Sequence, residues 1–133
     1  MLDGGNLSDA LVDFTSGVSE VIDLTTIISD LRADPEAKKA FYTTMEKEIE
    51  DHALMCCAIQ TSEAQDIEER TDLGLIKGHA YGITAVKKVD INETNFLKKL
   101  FREKKHLYLI RLQNPWGKKE WTEAFSDKGQ RLE

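Results

Sequence analysis

The sequence predicts an α+β fold in which one main helix packs on a sheet. A capped helical pattern over residues 35–52 and strand-like segments further along the chain predict it. Asp34 is a capping residue, Pro35 suits the first helical position, and Glu36 places a carboxylate near the positive end of the helix dipole. Apolar residues spaced three and four apart give this helix one core-facing stripe: Ala37, Ala40, Phe41, Met45 and Ile49.

Three segments have the composition of strands. Residues 53–59 are a near-continuous apolar run, which is typical of a buried strand. Residues 75–89 are typical of a long strand that carries a histidine directly after a glycine. Residues 107–112 are the third strand, with one face formed by Tyr108, Ile110 and Leu112.

The N-terminal part predicts shorter elements. A helix is expected over residues 7–14, capped by Asn6 or Ser8 and ended by the turn-forming residues 15–17. Residues 18–24 alternate apolar and polar side chains with one slip, which predicts a strand. Residues 27–31 fit either state.

Length and charge limit the class of protein. A chain of 133 residues is expected to form one domain, over residues 3–130, and to bury about two-thirds of its unfolded surface. The net charge of −6 argues against a nucleic-acid or anionic-membrane partner. No apolar run is long enough for a membrane span, and the N-terminus does not resemble a signal peptide. Both chain ends look cut, so we expect a C-terminally truncated piece of a larger protein.

The adjacent Cys56 and Cys57 indicate a reducing, cytoplasmic setting. Neighbouring residues on a strand point to opposite faces, so this pair cannot close a loop through a disulfide.

Two charged segments have both a functional and a structural explanation. Residues 60–72 are acidic and are either a solvated loop or a mobile flap over a cleft. Residues 96–105 are lysine-rich and could form one or two helical turns, for which we expect a solvated face rather than a binding surface.

The candidate site combines His79, Asn114 and Trp116. The amide oxygen of Asn114 could accept the imidazole N–H of His79, which would fix the ring and leave its other nitrogen as a base. The indole of Trp116 could cover that hydrogen bond from water. The alternative is a bare binding domain in which the histidine and the asparagine are structural.

These motifs resemble those of the calpain family, intracellular calcium-regulated cysteine proteases. The resemblance rests on residues 77–81 (Lys-Gly-His-Ala-Tyr), on residues 109–122, which include Gln-Asn-Pro-Trp-Gly, and on Gly4-Gly5 followed by residues 13–20 (Asp-Phe-Thr-Ser-Gly-Val-Ser-Glu). It extends over residues 4–127. It implies the second subdomain of a papain-like protease core, with an antiparallel, partly barrel-like sheet. The branch is similar to the atypical calpains that lack an EF-hand domain.

The resemblance implies a role for each site residue. His79 would be the general base and acid, paired with a cysteine on the first protease-core subdomain, and Asn114 would orient it. Trp116 would shield their contact and wall the cleft, and Gly78 would offer backbone to an extended protein substrate. Cys56 and Cys57 lie in a core strand and are expected to be inert. Residues 60–72 match a gating loop.

The family also binds calcium on this subdomain. Glu120 and Asp127 fall at two of its carboxylate positions, and carboxylates are suitable calcium ligands. This site would be incomplete within the chain, and ordinary surface acids are the alternative reading. Lys118 and Lys119 add positive charge beside it. Two further departures from the family are Ser16, in place of a usual glycine, and a longer insert at residues 90–106.

The sequence therefore predicts the acid/base half of a calcium-dependent endopeptidase, inactive alone because it lacks the nucleophilic cysteine. The alternative is a calpain-like, non-catalytic module for scaffolding or cytoskeletal interaction.

Overall fold

The structure is a computed structural model that describes residues 5–61, 67–90, 106–117, 121–122 and 125–126. These residues form an α+β fold, as predicted. Its elements, in chain order, are α1 (Leu7–Thr15), α2 (Leu24–Ala33), α3 (Pro35–Glu50), β1 (Met55–Ala58), β2 (Ala80–Asp90) and β3 (His106–Gln113).

The chain divides into two compact units. The first comprises Met1–Val21, Leu54–Ile83 and Leu112–Glu133, and the second comprises Ile22–Ala53 and Thr84–Arg111. The first unit contains α1, β1 and the start of β2, and the second contains α2 and α3.

Helix α1 confirms the prediction over residues 7–14, with Asn6 as its cap. The Asn6 side chain accepts the backbone N–H of Ser8 at 3.1 Å, which satisfies one of the free donors at the helix start. The helix ends at Ser16, whose backbone is left-handed with φ 56° and whose N–H donates to Val12 O at 2.8 Å. Ser16, where the resemblance leads us to expect a glycine, therefore occupies a conformation that favours glycine.

Helix α3 confirms the main predicted helix and its cap. Asp34 Oδ1 accepts the N–H of Glu36 at 2.8 Å, and Pro35 takes the first helical position. The helix is two residues shorter than predicted, because His52 adopts a left-handed φ of 68°. The rings of Tyr42 on α3 and Tyr108 on β3 stack at 4.6 Å between centroids, so the helix packs on this strand as expected.

The prediction of a strand over residues 18–24 is wrong. Residues 16–23 are irregular, and Asp23 instead caps α2 by accepting the Thr25 N–H at 2.9 Å and the Thr25 hydroxyl at 2.7 Å. A short alternating pattern is typical of a strand only where one face is buried. Val18 and Val21 are exposed, and the capping chemistry of Asp23 decides the local structure.

The three strands form an open sheet in the order β1–β2–β3. Strand β1 runs antiparallel to β2, with Met55 opposite Ile83 and Ala58 opposite Ala80. The described part of the sheet does not close on itself, so the barrel-like closure is not seen. None of the described helices has the length and apolar character needed to cross a membrane.

The strand predicted to enter at Leu75 begins five residues later, at Ala80. Gly78 has φ +64°, which breaks the extended conformation just before His79. The preceding residues form isolated bridges instead: Lys77 pairs with Ile59 and Ile76 pairs with Arg70. His79 therefore lies in a turn at the entrance to β2 rather than within a strand.

Candidate active site

His79 lies at the start of β2, after a turn whose backbone is hydrogen-bonded to neighbouring segments. The Gly78 N–H donates to Ile59 O at 2.8 Å, and the Lys77 N–H donates to Glu69 O at 2.9 Å. The positive φ of Gly78 turns the chain here, so the next residue is displayed beside the sheet. His79 is half-buried, which leaves part of its ring accessible.

The structure brings His79 and Asn114 together across 35 positions of sequence. His79 Nε2 lies 2.9 Å from Asn114 Oδ1, a hydrogen-bonding distance, and both side chains are half-buried. Asn114 directly follows β3, so the ends of two strands hold the pair. Both residues belong to the first compact unit.

The backbone around Asn114 determines which imidazole nitrogen is free. The Trp116 N–H also donates to Asn114 Oδ1, at 3.0 Å. Because a backbone N–H is only a donor, the Asn114 atom in this position must be the acceptor oxygen. His79 Nε2 therefore carries a hydrogen and donates it. In the neutral ring Nδ1 is then the unprotonated nitrogen, with a lone pair that can accept a proton.

Two aromatic rings flank the imidazole. The Trp116 ring lies over His79 with 4.2 Å between centroids and a tilt of 43°. The Tyr81 ring stands nearly perpendicular to it, at 5.1 Å and 86°. Trp116 is about one-third exposed, whereas Tyr81 is 4% exposed, so the first ring faces solvent and the second belongs to the core. Together with the Asn114 hydrogen bond, these two ring contacts restrict the imidazole.

Comparison with known proteins assigns the family. The family profile described as calpain family cysteine protease matches residues 1–132.

The chain belongs to the calpain family.

Its relatives include calpain-5 of Mus musculus, which is 45% identical over 95% of this chain and 19% of its own length. Calpain-5 of Caenorhabditis elegans is 41% identical over 93% of the chain and 19% of its own length. Calpain-9 of Homo sapiens is 37% identical over 95% of the chain and 15% of its own length. The chain thus spans about a fifth or less of the calpains it matches.

The two cysteines of this calpain chain lie on β1, the strand that pairs with β2. Cys56 pairs with Gly82 and Cys57 with Tyr81, and both thiols are free and half-buried. Burial raises the pKa of both thiols, and the neighbouring Cys56 raises that of Cys57 further. A raised pKa reduces the thiolate fraction at neutral pH, the opposite of what an activated nucleophile needs.

The remaining predicted site residues are only partly described. Glu120 and Asp127, the two expected calcium ligands, lie outside the described residues, as do residues 62–66 of the acidic segment and the basic segment over 96–105. Within the described ranges, no group of three or more histidine, cysteine, aspartate or glutamate side chains is placed to hold a metal ion. The described end of the acidic segment is tied down by an ion pair between Glu69 and Lys77 at 2.5 Å.

Tyr81 was assigned no role by the sequence, although it contacts the candidate base. The available signal was its position two residues after His79, since alternate residues of an extended segment share a face. The hydrogen bond that anchors it, from the Ile76 N–H to Tyr81 Oη at 2.9 Å, depends on the turn at Gly78. That turn was hidden within a segment predicted to be a strand.

Proposed function

We propose that this chain supplies the acid/base half of a calpain-type cysteine endopeptidase, within a longer protein whose first protease-core subdomain carries the nucleophilic cysteine. The observation that carries the proposal is the 2.9 Å contact between His79 Nε2 and Asn114 Oδ1, which leaves Nδ1 as the base. Family membership supports the reaction class.

Proton transfer through Nδ1 of His79 accounts for the chemistry. Nδ1 takes the proton of the incoming thiol, and the thiolate attacks the carbonyl carbon of the scissile peptide bond. The protonated Nδ1 then donates to the nitrogen of the leaving amine as the carbon–nitrogen bond breaks, which leaves an acyl-enzyme. Nδ1 next takes a proton from water, whose oxygen attacks the acyl carbon. The carbon–sulfur bond then breaks, and Nδ1 returns its proton to the leaving thiolate, which regenerates the thiol and the neutral imidazole.

Asn114 and Trp116 support this cycle without taking part in bond making. Asn114 keeps the imidazolium aligned, because its oxygen accepts Nε2–H in both protonation states. The Trp116 ring limits the access of water to this hydrogen bond, which strengthens it. Gly78 contributes through its carbonyl oxygen, since its N–H already donates to Ile59. We assign protein segments in extended conformation as the substrates.

Calcium dependence and a cytoplasmic location are part of the proposal. Glu120 and Asp127 would be the carboxylate ligands on this part of the core, and oxygen ligands of this kind suit calcium. Calcium would favour the arrangement of the core that is competent for catalysis. No proton-transfer step described above passes through the metal.

The test is substitution of His79 in the longer protein that contains this chain. Replacing His79 with Ala removes the base, so the rate of peptide hydrolysis in the presence of calcium should fall by about 10²–10⁴-fold. The matched control is His52→Asn, because His52 is exposed and asparagine tolerates its left-handed backbone. Full activity of His79→Ala would refute the proposal.

A second measurement tests whether the chain is inactive without the first protease-core subdomain. The 133-residue chain alone should not hydrolyse casein or a fluorogenic peptide with calcium, because its own thiols have raised pKa values. Turnover by the isolated chain would contradict this. If the longer protein itself has no peptidase activity, the rival function stands, namely a non-catalytic scaffolding or cytoskeletal interaction module.

A further inference from the structure

We propose that Tyr81 is a positioning residue that holds the His79 imidazole in its working orientation; this inference rests on the proposed function. The Tyr81 ring stands against His79 at 5.1 Å and 86°, a contact additional to the Asn114 hydrogen bond. In this role Tyr81 restricts the rotation of the imidazole, and it contacts neither the substrate nor the nucleophilic thiol of the first protease-core subdomain.

Tyr81 is suited to this role because it is itself immobile. It is 4% exposed, and its hydroxyl accepts the Ile76 N–H at 2.9 Å. Ile76 has no exposed surface, so that hydrogen bond lies in the core of the first unit. A buried donor without a partner is costly, and the Tyr81 hydroxyl supplies that partner here.

The same hydrogen bond closes the turn that displays His79. Ile76 and Tyr81 bracket Gly78 and His79, so the bond fixes both ends of a six-residue turn. The backbone bond from the Gly78 N–H to Ile59 O also holds the turn, against the residue that follows β1. Tyr81 therefore acts on His79 twice, through the ring contact and through the turn.

Single substitutions separate these two actions. Tyr81→Phe keeps the ring beside His79 and removes the hydroxyl, so the turn loosens while the contact remains. Tyr81→Leu removes both. In the longer protein we expect kcat to fall about fivefold to twentyfold for Tyr81→Phe and about 100-fold for Tyr81→Leu, with KM changed less than twofold. Misplacement of a catalytic group by about 1 Å costs this much.

Two readouts distinguish positioning from simple loss of stability. Rates are divided by the concentration of intact active centres, titrated with an irreversible thiol-reactive epoxide, so a partly unfolded variant still gives a kcat. The ¹⁵N chemical shifts of His79 in the 133-residue chain report the tautomer. We expect Nε2–H alone in the parent chain and a mixture of both tautomers in Tyr81→Leu.

Tyr108→Phe is the matched control. It removes a tyrosine hydroxyl from the stacked pair with Tyr42, in the second unit, and should leave kcat and the His79 shifts unchanged. If both Tyr81 variants keep parental kcat and His79 shifts while His79→Ala is inactive, the positioning role is refuted and the proposed function survives. If His79→Ala retains activity, the proposed function fails first.

Discussion

At the scale of single residues, one oxygen atom organises the candidate site. Asn114 Oδ1 accepts two hydrogen bonds, from His79 Nε2 and from the Trp116 N–H. The bond from the Trp116 N–H fixes the orientation of the Asn114 amide. Because the amide oxygen then faces His79, the Nε2–H tautomer of the histidine is favoured. An aspartate at this position would offer the same oxygen but add a charge beside the imidazole, which would favour its protonated form.

Asn114→Ala should therefore lower kcat in the longer protein by about 10–100-fold, with little change in KM. The variant leaves the Nε2–H of His79 without its acceptor and frees the ring to rotate. Steady-state hydrolysis of a fluorogenic peptide measures this. Gln113→Ala is the control, since it removes the neighbouring exposed amide and should have no effect. An Asn114→Ala enzyme with parental kcat would show that the hydrogen bond does not matter.

At the scale of elements, helix ends were the most predictable features. The caps of α1 and α3 depend on local side-chain chemistry, and both Asn6 and Asp34 make the expected bonds. The strand predicted over residues 18–24 failed because burial, which the alternating pattern presupposes, is a property of the whole fold. The entry of β2 was misplaced because the bend at Gly78 depends on its bond to Ile59.

The proximity of the three candidate residues was predictable from the sequence, whereas the contacts that support them were not. His79, Asn114 and Trp116 followed from motif and spacing, and the structure brings the three together. The tautomer of His79 and the anchoring of Tyr81 do not follow from the sequence, because both depend on contacts made by backbone N–H groups. Sequence patterns describe which side chains are present but not which backbone donors face them.

The left-handed end of α1 predicts a stabilising substitution. Ser16→Gly should raise the free energy of unfolding by about 0.5–1 kcal/mol, because Ser16 has φ 56° and glycine adopts this conformation without steric cost. Urea unfolding of the 133-residue chain measures it. Ser19→Gly, in the same irregular segment but without a positive φ, should instead destabilise slightly through the more flexible unfolded chain. Equal effects of both variants would contradict this explanation.

The cap of α2 predicts a pH-dependent contribution to stability. The Thr25 hydroxyl, and then its backbone N–H, lower the pKa of Asp23 below its ordinary value of 3.8. A lowered folded-state pKa gives stability that is present above about pH 4 and is lost as pH falls through the folded value. Thr25→Ala removes the larger cause, so its destabilisation should be seen at pH 7 and shrink toward pH 3.

Thr26→Ala is the matched control for that experiment. The Thr26 hydroxyl donates to the backbone oxygen of Asp23 at 2.7 Å, a group that does not titrate. Its effect on the urea midpoint should be the same at pH 7 and pH 3. A Thr25→Ala difference that is constant with pH would rule out titration of Asp23 as its source.

At the scale of the whole molecule, the candidate site lies within one compact unit. His79, Tyr81, Asn114 and Trp116 all belong to the first unit, and so do both cysteines. The unit thus contains the candidate base and two thiols, and the thiols lie half-buried on β1 with raised pKa values. Raised pKa values make both thiols poor nucleophiles at neutral pH, which supports the proposal that the nucleophile lies in another part of the longer protein.

The reactivity of Cys56 and Cys57 tests directly whether the nucleophile lies outside this chain. In the folded 133-residue chain both thiols should react with an aromatic disulfide reagent at pH 7.5 more slowly than in urea, because burial raises their pKa and so lowers the thiolate fraction. In the longer protein, Cys56→Ser combined with Cys57→Ser should keep parental kcat, because the proposed function assigns the nucleophile to the first protease-core subdomain. Fast labelling of the folded chain, or loss of hydrolysis in the folded double variant, would place the nucleophile on β1 and remove the need for a second subdomain.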